Sequence, residues 1–170
     1  MGDGFDPNTR LGPLNNQMQF ERVIDLVEDA KEAGGEITVG GETRAGKGYF
    51  YEPTIVTNIS DGIRLVDEEQ FGPALPIMSY RDIDDALERA NATHFGLGGS
   101  IWTNDLDHGA ALASRLECGN GWVNQHMALS PDMQPLPGAK WSALGHELGG
   151  KWSIDTYSRL QVVRVAKQLE

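Results

Sequence analysis

Apolar and polar positions along the chain change period several times, and each change marks an element. From Asn15 to Ala33, the residues Phe20, Val23, Ile24 and Val27 recur at helical spacing and Gly34-Gly35 ends the run, which predicts an amphipathic helix. Glu36 to Val39 is short, β-rich and closed by Gly40-Gly41, and predicts a strand. Tyr49 to Ile59 is rich in aromatic and β-branched residues and predicts a second strand; Pro53 inside it has no N–H to donate and argues for an edge position or a bulge. Ala74 to Tyr80 predicts a third. Asp82 to Ala92 predicts a helix with Asp82 as N-cap and Ile83, Ala86, Leu87 and Ala90 on one face. Leu97 to Thr103 is a small and apolar run, as expected of a buried strand. Asn104 or Asp105 then caps a helix reaching about Leu116, Asn120 to Asn124 forms the next strand, and Val162 to Val165 the last. Residues 125 to 150 carry Pro131, Pro135, Pro137, Gly138, Gly145, Gly149 and Gly150 without a clear period, and predict a long functional loop.

Strands alternating with helices predict an α/β fold, a layered and mostly parallel sheet with flanking helices. The 170 residues suffice for a buried core, and 39% apolar and 23% charged residues are ordinary globular usage. No apolar run reaches the roughly 18 residues of a membrane span. Met1 to Asp6 has neither the basic nor the apolar region of a secretory signal. The single cysteine, Cys118, cannot close an internal disulfide, which fits a cytoplasmic protein. A net charge of −11 repels phosphate backbones and anionic lipid, so neither nucleic acid nor membrane is an expected partner; solubility is its plain reading.

One glycine-rich stretch imitates a nucleotide-binding motif. Gly41-Glu42-Thr43-Arg44-Ala45-Gly46-Lys47-Gly48 nearly fits a phosphate-binding loop, but Gly48 stands where Ser or Thr would hold magnesium, and a strand follows where a helix is required. A glycine-rich hairpin connection is the better reading. Asp67-Glu68-Glu69 and Asp82, Asp84 and Asp85 read as solvated faces or helix starts. His94, His108, His126 and His146 show no metal-ligand spacing with one another or with Cys118. No metal site is expected.

Six stretches, in order, carry a family likeness: Leu11-Gly12-Pro13-Leu14; Gly48-Tyr49-Phe50-Tyr51-Glu52-Pro53-Thr54-Ile55-Val56; Glu69-Gln70-Phe71-Gly72-Pro73; Ala90-Asn91-Ala92-Thr93-His94-Phe95-Gly96-Leu97; Gly119-Asn120-Gly121-Trp122-Val123-Asn124; and Lys140-Trp141-Ser142-Ala143-Leu144-Gly145-His146-Glu147-Leu148-Gly149. Together they resemble the C-terminal portion of the NAD(P)-dependent aldehyde dehydrogenases, with a catalytic-domain-like segment at 1–157 and an oligomerisation strand and tail at 158–170. The resemblance implies that Glu69 accepts hydrogen bonds from the nicotinamide-ribose hydroxyls, as a carboxylate can from a diol. It implies that Phe71 packs near the nicotinamide ring. It places Gln125, His126 and Met127, within the stretch Gln125 to Met133, along the aldehyde entry tunnel, and Glu147 near the active site.

The family chemistry needs a cysteine thiolate to attack the aldehyde, a glutamate base to activate water and a nucleotide-binding domain, and in the family all three lie upstream of what matches Met1. Cys118 matches a structural position, so no catalytic residue is expected here, and Glu147-Leu148-Gly149-Gly150-Lys151 belongs to the C-terminal stretch rather than to the general-base motif. The family's Pro-Phe-Gly-Gly becomes Pro135-Leu136-Pro137-Gly138 and its Ser-Gly-x-Gly becomes Ser142-Ala143-Leu144-Gly145, which removes backbone freedom from the loop. The expectation is a segment of an aldehyde-oxidising enzyme, inactive alone and binding NAD or NADP weakly or not at all. The alternative is an interaction module that assembles with itself or docks onto parent-enzyme subunits.

Overall fold

In the computed structural model, which describes residues 1–128, 134–147 and 149–166, the first predicted helix forms as α1 (Gln17–Glu32). Asn16 caps it, its side-chain oxygen accepting from Gln19 N, and the chain leaves at Ala33 into Gly34 at φ +95°. Val23, Leu26, Val27 and Ala30 form its fully buried stripe, with Phe20 and Ile24 half-buried beside them. Each large apolar side chain so buried contributes about 1.5–3 kcal/mol.

That stripe packs on β1 (Glu36–Val39), β2 (Thr54–Thr57) and β3 (Ala74–Pro76), with the short α2 (Arg64–Asp67) between the last two. β2 is central, antiparallel to β1 and parallel to β3. Thr54 and Val56 point to α1 and join Tyr51, Ile59, Leu65 and Ala74 in one core. Gly41 to Gly48, expected as a hairpin connection, lies in a hairpin whose arms are joined by Arg44 N to Phe50 O at 3.0 Å and Glu52 N to Glu42 O at 3.0 Å. All of this lies within one compact unit, Met1–Arg81.

The second unit, Asp82–Glu170, opens with α3 (Ile83–Asn91), capped by Asp82, whose carboxylate accepts from Asp84 N at 2.7 Å. β4 (Phe95–Gly96) and β5 (Gly98–Ile101) follow, then α4 (Leu106–Ala113), capped by Asp105 through His108 N at 3.0 Å. β6 (Asn120–Val123) returns parallel to β5, making α4 a crossover helix. β7 (Leu136–Pro137), β8 (Ala139–Lys140), β9 (His146–Glu147) and α5 (Gly150–Thr156) complete it, with β4–β8 and β7–β9 antiparallel. Gly119 is obligatory, because a Cβ there would run into the Pro137 carbonyl. The α/β class stands, with a parallel crossover in each unit.

Several expectations need correction. The strand predicted over Tyr49 to Ile59 is only Thr54–Thr57, since Pro53 has no N–H to continue the ladder and Tyr51 is left as an isolated bridge to Thr43. Pro53 marks neither an edge nor a bulge: β2 is central, and the irregularity sits in β1 between Ile37 and Val39. β3 stops at Pro76, and α2 carried no recognised signal. β5 is half-buried rather than buried, with Leu97 and Trp102 exposed at its ends. Residues 162 to 165 form no strand among the described residues: Val162, Val163 and Val165 are exposed, and a strand needs a neighbour to exchange hydrogen bonds with. The long loop is partly ordered by β7, β8 and β9, while residues 129–133 lie outside the described residues.

Candidate functional site

The segment Glu68 to Pro73 is held by α1 and α2 through its backbone, which leaves two of its side chains outward. Gln19, on the polar face of α1, donates its Nε2 to the Gln70 carbonyl and, at 3.3 Å, to that of Phe71. One turn on, Arg22 donates to the Glu69 carbonyl at 3.1 Å and to the Glu68 carboxylate at 3.0 Å. Arg64 completes the grip, donating to Glu68 Oε1 at 2.8 Å and to Asp25 Oδ2 at 2.9 Å. The Arg64 guanidinium, with Arg22 behind it, holds the Glu68 carboxyl below the usual glutamate range. Of the two adjacent glutamates, Glu68 is therefore the tether. Glu69 is exposed, and its carboxylate enters no ion pair among the described residues.

Phe71 stands 76% exposed with its backbone at φ +48°, a left-handed conformation unusual for an aromatic residue. Gly72 follows where the chain presses onto α1, and a Cβ there would meet Val23 Cγ2. A cavity of about 220 Å³ lies behind the segment, lined by Leu11, Gly12, Pro13, Leu14, Tyr51 and Pro73 among others. Tyr51 itself is buried, and among the described residues its hydroxyl has no hydrogen-bond partner. Thr54 Oγ1 beside it already donates to Glu52 O at 2.7 Å and accepts from Gly41 N at 2.8 Å. Burial, reinforced by the Glu28 carboxylate and opposed by Thr54, pushes the Tyr51 hydroxyl up to about 12.

In the second unit, a cavity of about 620 Å³ is lined by Asn120, Trp122, Gln125, Ala128, Gln134 and Pro137 among others. Gln125 reaches it. His126 instead meets the Trp122 ring edge-on, centroids 5.3 Å apart, and Met127 is exposed at φ +52°. The Trp122 indole N–H donates to Ala128 O at 3.3 Å and so folds this turn onto β6. Glu147 lies in β9, paired with Leu136; its side chain lies outside the described residues, as do 129–133 of the expected tunnel stretch. Cys118 is half-buried, its Sγ donating to Asn120 O at 3.1 Å.

Glu69 and Phe71 thus share one presented segment, whereas Gln125, His126 and Met127 share a turn but only Gln125 lines the cavity. The sequence reading missed Gln19 and Arg22, whose spacing of three on the polar face of α1 was the available signal. It also missed the stack of His94 on exposed Trp141, with ring centroids 4.4 Å apart and 13° between planes. Among the described residues no helix is long and apolar enough to cross a membrane.

The model of the Aldehyde dehydrogenase family matches residues 1–163. Human Retinaldehyde dehydrogenase 3 is 36% identical over 165 residues, which are 97% of this chain and 32% of that protein. "Aldehyde dehydrogenase, cytosolic 2" of Macroscelides proboscideus is 36% identical over 163 residues, 96% of this chain and 67% of that protein. A Bacillus cereus aldehyde dehydrogenase in complex with NAD+ superimposes with a TM-score of 0.81 at 35% identity, covering 93% of this chain and 32% of that one. The chain spans about a third of the length of the human and bacterial relatives.

Proposed function

The chain belongs to the aldehyde dehydrogenase family, and we propose that it is the C-terminal portion of such an enzyme, carrying the nicotinamide-ribose end of the cofactor site and no catalytic nucleophile. The observation that carries this reading is the clamp of Gln19 and Arg22 on three successive carbonyls, which holds Glu69 and Phe71 outward on a fixed backbone. An exposed carboxylate outside any ion pair is suited to accept from a ribose diol, and an exposed ring to lie against a nicotinamide. Those two residues fit the nicotinamide-ribose end of NAD or NADP. When bound, the nicotinamide supplies the hydride acceptor for oxidation of aldehyde to carboxylic acid in the parent enzyme.

Cys118 does not serve as nucleophile in this reading. Its thiol is turned onto the Asn120 carbonyl at the start of β6, and its role is packing. Gln125, with His126, Met127 and Glu147, is assigned to the aldehyde passage of the assembled enzyme. The tail 158–170, apolar at Leu160, Val162, Val163 and Val165, is assigned to pairing with another subunit, which supplies the neighbour that 162–165 lacks among the described residues. The expected assembly is a cytoplasmic homo-oligomer or a complex with parent-enzyme subunits.

Two measurements test the reading. Incubation of the isolated chain with an aldehyde panel and NAD+ or NADP+ is expected to give no reduced cofactor; turnover that survives repurification would overturn it. Titration with nicotinamide mononucleotide, followed by amide chemical shifts, is expected to perturb Glu69 to Gly72 weakly. Perturbation confined to other residues would remove the cofactor assignment.

A further inference from the structure

Phe71 is the hinge of the presented segment, and its own side chain contributes little to holding it. The residues around it are anchored. The Gln70 side chain donates its Nε2 to the Ala74 carbonyl, and the Pro73 carbonyl accepts from Thr54 N of β2 at 2.8 Å. Gly72 lies against Val23 of α1. Between these anchors Phe71 takes φ +48° with its side chain exposed. A left-handed backbone crowds the Cβ of every residue but glycine, and Asn or Asp offsets that with local hydrogen bonds. Phenylalanine has no such bond to make, and an exposed ring gains little packing in return. The conformation is strained, and a group outside Phe71 holds it.

Gln19 is placed to do so. Its Nε2 carries two hydrogens and donates to the Gln70 carbonyl and, at 3.3 Å, to the Phe71 carbonyl. One nitrogen reaches two successive carbonyls only when both point to the same side. Extended backbone turns neighbouring carbonyls to opposite sides, whereas the left-handed turn at Phe71 brings them together. The paired hydrogen bonds of Gln19 and the positive φ of Phe71 are therefore one arrangement. Both backbone torsions of Phe71 lie between carbonyls 70 and 71. Of the two residues of the clamp, Gln19 alone spans them, because Arg22 grips the Glu69 carbonyl upstream of the hinge.

We infer that Gln19 is a positioning residue that latches Phe71 in this strained, ring-out state. Without it the hinge relaxes to ordinary backbone and withdraws the nicotinamide end of the site. The inference rests on the reading of Glu69 and Phe71 as that end. A ligand that needs the ring outward binds the latched state alone, so its apparent affinity falls in proportion to the fraction of chains that stay latched. Ligand binding in turn favours the Gln19 bonds, because the two draw on the same conformation.

The test is Gln19→Met, which keeps the length of the side chain and removes both donors. In the isotope-labelled chain, the HN–Hα coupling and the carbon chemical shifts of Phe71 report its φ. A positive φ is expected in the parent protein and a negative φ in the variant, with binding of nicotinamide mononucleotide weakened at least about fivefold. Phe71→Gly separates strain from simple loss of a contact, since glycine adopts a positive φ without strain and needs no latch. In a Phe71→Gly background, Gln19→Met should move the Glu69 and Ala74 amide shifts less than about half as far as it does in the parent. A Phe71 that keeps its positive φ in Gln19→Met overturns the inference. So do amide shifts that move equally far in both backgrounds, because the donor would then act on something other than strain. Unchanged nicotinamide mononucleotide affinity with Phe71 relaxed overturns the withdrawal of the site. If neither the parent nor the variant binds nicotinamide mononucleotide, the cofactor assignment falls, and the φ measurements by themselves uphold or overturn the latch.

Discussion

The side-chain amide of Asn124 clasps the backbone of Thr103 at both ends, Nδ2 donating to Thr103 O at 2.7 Å and Oδ1 accepting from Thr103 N at 2.8 Å. The clasp ties the ends of β5 and β6 together. It also lets Asn124 turn the chain at φ +54° into Gln125 to Met127.

Asn124→Ala should destabilise the chain by about 1–2 kcal/mol, from two net hydrogen bonds lost at an exposed site and from alanine in a left-handed conformation. Asn124→Gly should lose the bonds but tolerate the turn, and fall between the two. Urea unfolding at neutral pH checks the order. Equal stability of all three would mean the clasp carries nothing.

Gly72→Ala should cost about 1–3 kcal/mol, because the added methyl enters the space of Val23, whose β-branched side chain has little rotamer freedom to retreat. Val23→Ala made in the same chain should recover part of that loss in thermal melts, a coupling that two independent sites would not show.

The Tyr51 hydroxyl is raised from 10.0 to about 12 in the folded chain, so folding favours its neutral form. The corresponding stability is fully present below pH 10 and is lost as pH rises toward 12, a decline of about 2–3 kcal/mol across that window. Tyr51→Phe should flatten this dependence. It should also be neutral or stabilising at pH 7, because it removes a buried hydroxyl that has no partner among the described residues. Denaturant midpoints of both proteins from pH 8 to pH 11 decide it.

Glu69→Ala should leave the melting temperature unchanged, since the side chain is exposed, and should abolish the shift of the Phe71 and Gly72 amides on titration with nicotinamide mononucleotide. Glu68→Ala should do the reverse first: it removes the carboxylate that Arg22 and Arg64 share, so the melt falls and the segment loses its fixed backbone. If both substitutions behave alike, the division of labour between tether and presented carboxylate is wrong.

Local chemistry made much of this protein legible in its sequence. Asn16, Asp82 and Asp105 start their helices because a short side-chain oxygen satisfies free N–H groups two or three residues on, which depends on nothing distant. The order of the six family stretches, and with it Glu69 and Phe71, was equally local. What needed the tertiary structure involved partners far along the chain. Whether Pro53 lay at an edge depended on β1 and β3 flanking β2, and the short β3 depended on where pairing with β2 ceased. Val162 to Val165 has strand composition yet forms none, because pairing needs a second strand that composition cannot supply. Glu68 and Glu69 are identical residues side by side, and the guanidinium groups of Arg22 and Arg64, folded in from two helices, make the first a tether and leave the second exposed. The sequence by itself determined the family and the helix starts, and it singled out Glu69 and Phe71. The tertiary structure decided which of those residues are held and which are presented, because hydrogen bonds and ion pairs between distant segments are geometric facts that exist only once the chain has closed on itself.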